Sequence, residues 1–123
     1  MDCFFHCSKR ARKNTKSSKH RISECCETLK VVLAANPEYG VVIKGRGGLR
    51  KMRIKVPSLN VGKSGGYRLI YKPVLVGESW RVALLATYFK GDCEDLSSDE
   101  YKTIQSEADA LFGDVNAIEW DLA

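Results

Sequence analysis

The chain has 123 residues, 44% of them hydrophobic and 28% charged, with a formal net charge of +5. That is the size and balance of one globular domain with a core of its own, and no apolar run approaches the roughly 20 residues of a membrane-spanning helix, so no such helix is expected. The net charge hides an asymmetry: residues 1–90 hold 19 of the 20 Lys and Arg and 5 of the 15 acids, a balance of +14, whereas residues 91–123 hold one basic residue and 10 acids, a balance of −9. A body so basic carries the electrostatic footprint of a polyanion binder.

Asp2–Cys7 (DCFFHC) is a short apolar run compatible with an edge strand. Basic residues follow it, with no long apolar stretch behind them, so a secretory signal is not expected. The five cysteines, Cys3, Cys7, Cys25, Cys26 and Cys93, are odd in number and irregular in spacing, and read as reduced thiols of a cytoplasmic protein. A zinc site on Cys3, His6 and Cys7 would lack a second half-site with ligand spacing, and no metal is expected. From Ser8 to Arg21 the only apolar residue is Ala11. A helix there has no apolar face to bury, which predicts a mobile or loosely docked basic arm over 8–21, able to touch nucleic-acid phosphates through Lys9, Arg10, Arg12, Lys13, Lys16, Lys19 and Arg21.

Ile22, Cys25, Cys26, Leu29, Val32 and Leu33 recur at helical spacing, and Asn36-Pro37 ends that helix, because the residue before proline is pushed out of the α region. The next segment, Gly47–Tyr71 (GGLRKMRIKVPSLNVGKSGGYRLIY), gathers Arg50, Lys51, Arg53, Lys55, Lys63 and Arg68 with no acid among them. Its first arm alternates, placing Leu49, Lys51, Arg53 and Lys55 on one face and Arg50, Met52, Ile54 and Val56 on the other. Its second arm sends Tyr67, Leu69 and Tyr71 one way and Arg68, Ile70 and Lys72 the other. Pro57, Gly62, Gly65 and Gly66 make the stretch between them a loop. A hairpin would bring Arg53 and Lys55 close to Arg68, and such a cluster repels itself unless an anion sits among the charges. The plainer reading of the same pattern is a solvated basic sheet face.

Ser79–Tyr88 is the most apolar stretch. Strict alternation would put Trp80, Val82, Leu84, Ala86 and Tyr88 on one face and Arg81, Ala83, Leu85 and Thr87 on the other, in a central strand covered on both sides. Leu49–Val56, Gly66–Val76 and Ser79–Phe89 then form an antiparallel meander with a turn at Gly77-Glu78. Ser97 and Glu100 form a capping-box pattern ahead of a helix striped by Tyr101, Ile104, Ala108, Leu111 and Phe112 and stopped at Gly113. The tail over 114–123 alternates Ile118, Trp120 and Leu122 with acids, and either folds back as a strap or waits for a partner. The whole predicts a single α+β domain over 1–123: an antiparallel meander of about four strands, flanked by N-terminal helices and a C-terminal helix.

The succession GGLRK, GKSGGYR, an apolar strand ending in Tyr88 and Lys90, and DLSSDEYKTI resembles the RelE/HigB toxins of bacterial toxin–antitoxin pairs, over roughly Asn36 to Phe112. The resemblance implies a microbial-ribonuclease-like fold and an endoribonuclease, an mRNA interferase that cuts messenger RNA in the ribosomal decoding site. It implies an antitoxin and the ribosome as partners, and no small-molecule cofactor. It carries the strand arginine of the family onto Arg68, the paired basic residues of the preceding strand onto Arg53 and Lys55, and a basic residue after the last strand onto Lys90, with Tyr88 just before it. Arg50, Lys51 and Lys63 are then RNA-binding candidates. Neither histidine lies in the motif region. Some relatives use one as acid or base.

The chemistry suits such a site. Cleaving a phosphodiester needs the 2′-hydroxyl deprotonated, the phosphorane stabilised and the 5′-oxygen protonated on leaving. A lysine crowded by Arg53, Lys51 and Arg68 would have a depressed pKa and serve as base. Arg68 would hold phosphate oxygens with its planar fork, Lys90 would protonate the leaving oxygen, and Tyr88 would stack on a base or donate a hydrogen bond. The guanidinium groups supply the positive charge, so this reading asks for no metal. Two alternatives remain at this level: a ParE-like inhibitor of DNA gyrase without nuclease residues, and a basic nucleic-acid-binding module without catalysis. Two modes of control also remain. One is an external acidic partner; the other is the acidic tail folding back over Arg53, Lys55 and Arg68.

Overall fold

The computed structural model describes residues 2–8, 11, 29–54, 66–90 and 94–122. Six strands form one sheet in the order β2-β3-β4-β5-β1-β6. They are β1 (Cys3–Cys7), β2 (Val41–Val42), β3 (Arg50–Ile54), β4 (Tyr67–Val76), β5 (Ser79–Phe89) and β6 (Asp121–Leu122). Among the described residues, α-helices run over 29–35 (α1) and Ser98–Gly113 (α2), and a short 3-10 turn, Val115–Ala117, follows the second. No helix among the described residues is long and apolar enough to cross a membrane.

The expected meander is present as β3-β4-β5, antiparallel throughout. The sheet as a whole departs from the expected four-strand antiparallel meander: β1 runs parallel to β5, so the sheet is mixed, and short strands extend it at both ends. Cys3–Cys7 is therefore an interior strand, flanked by β5 and β6, and not an edge. The edges are the two-residue strands β2 and β6, which Val41-Val42 and Asp121-Leu122 are too short to announce by alternation.

Two cores lie on the two faces. On one, Leu29 and Leu33 of α1 pack on Phe5, Met52, Ile54, Tyr67, Leu69, Tyr71, Val82 and Leu84. The two buried leucines of α1 contribute about 2 kcal/mol each. On the other, Tyr101, Ile104 and Ala108 of α2 pack on Leu49, Ile70, Ala83, Leu85, Ala86 and Tyr88. The predicted stripes of both helices do this work, as far as the described residues extend. The capping box forms as expected: Glu100 N–H donates to Ser97 Oγ at 3.1 Å and Ser97 N–H to Glu100 Oε1 at 3.2 Å.

One local feature overturns the strict alternation expected of β5. Ile70 pairs with Ala86 but Tyr71 with Leu84, so Leu85 is an extra, bulged residue. Trp80, Val82 and Leu84 face α1, while Ala83 and Leu85, and then Ala86 and Tyr88, face α2. A bulge resets the period-two pattern beyond it, which moves Tyr88 onto the face of Arg68 and Thr87 onto the face of Leu69. Ser8 secures the bulge: its N–H donates to Leu84 O at 2.9 Å and its hydroxyl to Leu85 O at 2.8 Å.

Of the basic arm over 8–21, Ser8 and Ala11 are described, and both are anchored: Ala11 N–H donates to Ser8 Oγ and Thr87 Oγ1 donates to Ala11 O, each at 3.1 Å. The remainder of the arm lies outside the described residues. The tail resolves as a strap. β6 pairs antiparallel with β1, and Trp120 packs against Phe112 and His6 while its Nε1–H donates to Val115 O at 2.9 Å. That places it four strand intervals from β3, about 19 Å at ordinary spacing, so it does not fold back over Arg53 and Arg68.

Candidate functional site

The antiparallel register of β3, β4 and β5 makes one transverse row. Arg53 pairs with Arg68, and Arg68 with Tyr88. Paired residues lie about 5 Å apart and project to the same face, here the face of α2, as the shared packing of Ile70, Ala86 and Tyr88 shows. The row needs the bulge, because without it Tyr88 would point into the α1 core.

Arg68 is 8% exposed, an unusual depth for a guanidinium. Among the described residues it makes two long hydrogen bonds from Nη1, to the carbonyls of Gly66 and Tyr67 at 3.4 Å each, and no described carboxylate pairs with it. Gly66 makes room for it: the residue has φ +128°, and a Cβ there would sit 3.4 Å from Arg68 Nη1. Arg53 is exposed at the other end of the row. Lys90 is exposed just beyond β5, where its N–H continues the ladder to Gly66 O at 3.1 Å.

The neighbouring row starts with Lys51, paired with Ile70. Its ammonium donates to Asp95 Oδ1 at 2.9 Å and lies 5.7 Å from the centre of the Tyr88 ring. The same oxygen accepts the Tyr101 hydroxyl and, at 2.8 Å, the Leu96 N–H. Burial disfavours the Lys51 ammonium, but hydrogen bonds to Asp95, Tyr88 and Tyr101 outweigh it and hold its pKa above the usual lysine value. Asp95 is held below the ordinary carboxylate range: burial opposes this, but bonds from Tyr101, Lys51 and the Leu96 N–H prevail. Burial and the Asp95 bond push Tyr101 up to about 12. Lys51 is therefore a fixed cation and cannot be a base near neutral pH.

Arg46, on the loop before β3, closes the cluster. Its guanidinium lies 5.1 Å from the Tyr101 ring centre and donates to Ser98 Oγ at 3.1 Å.

The sequence-predicted residues thus separate. Arg53, Arg68 and Tyr88 are brought into one row, with Lys51 beside it and Lys90 at the strand end. Arg50 is not part of it. Arg50 projects to the opposite face, where it pairs with Glu38 at 3.1 Å and donates to Gly40 O at 2.7 Å. Tyr88 is 7% exposed, so its ring is not open for stacking on a base. Lys55 and Lys63 lie outside the described residues. In β1, Cys3 belongs to the α1 core while His6 contacts Trp120 on the other side, so strand alternation keeps the conceivable ligands apart. Asp95, Tyr101 and Arg46 were missed as site residues. Tyr101 reads in the sequence as a core stripe position, and nothing in the spacing joins Asp95 to Lys51, 44 residues earlier.

No family profile matches the chain. Its fold is similar to that of the E. coli toxin RelE, solved in the free state as a double arginine-to-alanine mutant, with a TM-score of 0.53 and 19% identity over 76% of this chain and 90% of that one. The fold is thus RelE-like: an α+β domain with a mixed six-stranded sheet and two helices among the described residues.

Proposed function

We propose that the chain is a toxin of the RelE/HigB kind, an endoribonuclease that cuts messenger RNA on the ribosome and is held in check by an antitoxin. The observation that carries this reading is Arg68: a nearly buried guanidinium with no described carboxylate partner, in the middle of a basic row on a RelE-like sheet. Desolvating a charge without pairing it is costly, and such an arrangement makes sense when an anion completes the site.

In the proposed reaction Arg68 and Arg53 receive the phosphodiester, Arg68 with a preorganised fork whose bonds strengthen as charge builds on the phosphorane oxygens. Lys51, held protonated, adds a fixed positive charge and fixes the Tyr88 hydroxyl edge. The base that takes the 2′-proton is then a lysine other than Lys51, and Lys55, two residues beyond Arg53, is the candidate. Lys90, exposed at the end of β5, is the candidate to protonate the leaving 5′-oxygen. The protein acts in the cytoplasm, where messenger RNA and ribosomes are. The test is induction in cells with mapping of cut messenger RNA ends, with and without translation. Discrete cuts in translated messages, absent when translation is blocked, support the reading. Growth arrest with intact messages overturns it.

A further inference from the structure

Of Lys51, Arg53 and Arg68, only Lys51 meets a described carboxylate. Asp95 gathers three donors on one oxygen: the Lys51 ammonium from β3, the Tyr101 hydroxyl from α2 and the N–H of Leu96 beside it. Tethering α2 does not require this arrangement. The helix start is already fixed by the Ser97–Glu100 capping box, and Arg46 already ties the preceding loop to Ser98 and Tyr101. The pair is reachable from solvent, with Lys51 and Asp95 side chains 27% and 53% exposed. An ion pair of that exposure is weak enough to exchange partners.

Resting on the proposed function, we propose that Asp95 stands in for a phosphate: it occupies Lys51 in the free protein, lowers affinity for RNA at large, and yields the ammonium only to a phosphate delivered at the Arg53–Arg68 row. A lysine already neutralised by its own carboxylate releases no condensed counterion from RNA, so it is silent in nonspecific binding. The carboxylate thereby makes the site more selective than its charge count alone would allow, because a strand that does not align a phosphate with both arginines has nothing with which to displace it.

The experiment measures binding of the full-length chain to a single-stranded 2′-O-methyl RNA, which cannot be cleaved through its 2′-oxygen, over a range of salt concentrations. Asp95→Asn keeps an acceptor for Tyr101 and Leu96 but removes the charge. It is expected to steepen the slope of log K against log salt by about 0.7, one extra phosphate contact, and to raise affinity about five-fold near 0.1 M salt. Asp95→Asn combined with Lys51→Met should lose that gain. Ser97→Ala removes the cap of α2 and loosens the helix start while leaving the Lys51–Asp95 pair in place, and should bind as the unaltered protein does. An unchanged slope in Asp95→Asn overturns the proposal. So does a gain that survives the loss of Lys51, or one that Ser97→Ala reproduces, since a loosened helix would then be the cause. If the unaltered protein itself shows no salt-dependent RNA binding, the nuclease reading fails first, and that outcome is distinct from the others.

Discussion

Replacing Arg68 with methionine separates two roles that a buried arginine can have. The side chain is 8% exposed and, among the described residues, its guanidinium makes two 3.4 Å contacts, both to main-chain carbonyls. Methionine keeps most of the apolar stem and removes a desolvated charge that no described carboxylate balances. Since replacing buried ionic groups by apolar ones of similar volume is often neutral or stabilising, the variant should unfold in urea within about 1 kcal/mol of the parent, or at higher denaturant. Cleavage should behave in the opposite way. Loss of one preorganised donor to a developing oxyanion costs about 10²–10³-fold, or about 2.7–4 kcal/mol of transition-state stabilisation. Arg68→Lys should recover little of it, because an ammonium cannot reproduce the planar fork. Both measurements belong on the same preparations: urea unfolding, and the rate at which cut ends accumulate in a translating extract. A methionine variant that cleaves at the parental rate refutes the assignment. One that loses more than about 2 kcal/mol of stability shows that the arginine holds the sheet together, and the catalytic inference from its burial fails.

Three further outcomes follow from the geometry. Gly66→Ala forces a side chain into φ +128° with its Cβ 3.4 Å from Arg68 Nη1, so cleavage should fall about ten-fold or more through misplacement of Arg68, and rates like the parent's would show that the contact is slack. Deleting Asp114–Ala123 strips Trp120 from Phe112 and His6 and bares β1, which should cost about 2–3 kcal/mol and promote association while leaving activity per folded molecule unchanged; markedly stronger cleavage would instead make the tail an inhibitor. Tyr101, raised to about 12, favours the fold below the ordinary tyrosine value of about 10 and loses that contribution as pH climbs towards 12, and the raised Lys51 acts in the same alkaline range, whereas the lowered Asp95 contributes above about pH 4 and fails in acid. Unfolding measured against pH should therefore show a plateau near neutrality with an alkaline fall that Tyr101→Phe reduces, and an unreduced fall would place its origin elsewhere.

What could be read from the residues was what local rules determine. Leu29 and Leu33 are one face of a helix by spacing, Ser97 and Glu100 a helix start by chemistry, and the alternation of Met52 and Ile54 against Lys51 and Arg53 is the alternation observed. The pairing of Arg53 with Arg68 also followed from a hairpin with a loop between its arms. What was missed depends on contacts distant in sequence. The parallel docking of β1 beside β5 leaves no local trace in DCFFHC, since a parallel neighbour and an edge strand call for the same apolar residues. The bulge at Leu85 was invisible for a related reason: in a run as apolar as VALLAT, either face of the strand tolerates either register, and it is Ser8, 77 positions away, that takes up the bulged carbonyl. Tyr88 faces Arg68 only because of that bulge, so strict alternation assigned it to the wrong face.

The lopsided charge of the chain is also lopsided in space, and this bears on how such a site can be controlled. Glu119 and Asp121 lie with β6 at one end of the sheet, beyond β1, while Arg53 lies near the other end. The tail is committed there by a ladder, an indole hydrogen bond and two ring contacts. Asp95, in contrast, is an acid of the acidic third that reaches the basic face, where among the described cations it pairs with Lys51. Among the described residues, one carboxylate is thus spent at the site, and Arg53 and Arg68 are left uncovered. On the proposed reading, a restraint on those two arginines comes from another molecule, its acidic groups steered there by the field of the basic face. Pairing along the open β2 edge is a poor way to deliver it. In the β2–β3 ladder Ile43 N–H bonds Leu49 O, so of Val41 and Val42 only Val42 turns its main-chain groups outward, and Gly40 is already held by Tyr71 and Arg50. One outward residue is too short a template for a strand. Side chains laid across the Arg53–Arg68 row, and not an added strand, are the form of inhibitor that this surface fits.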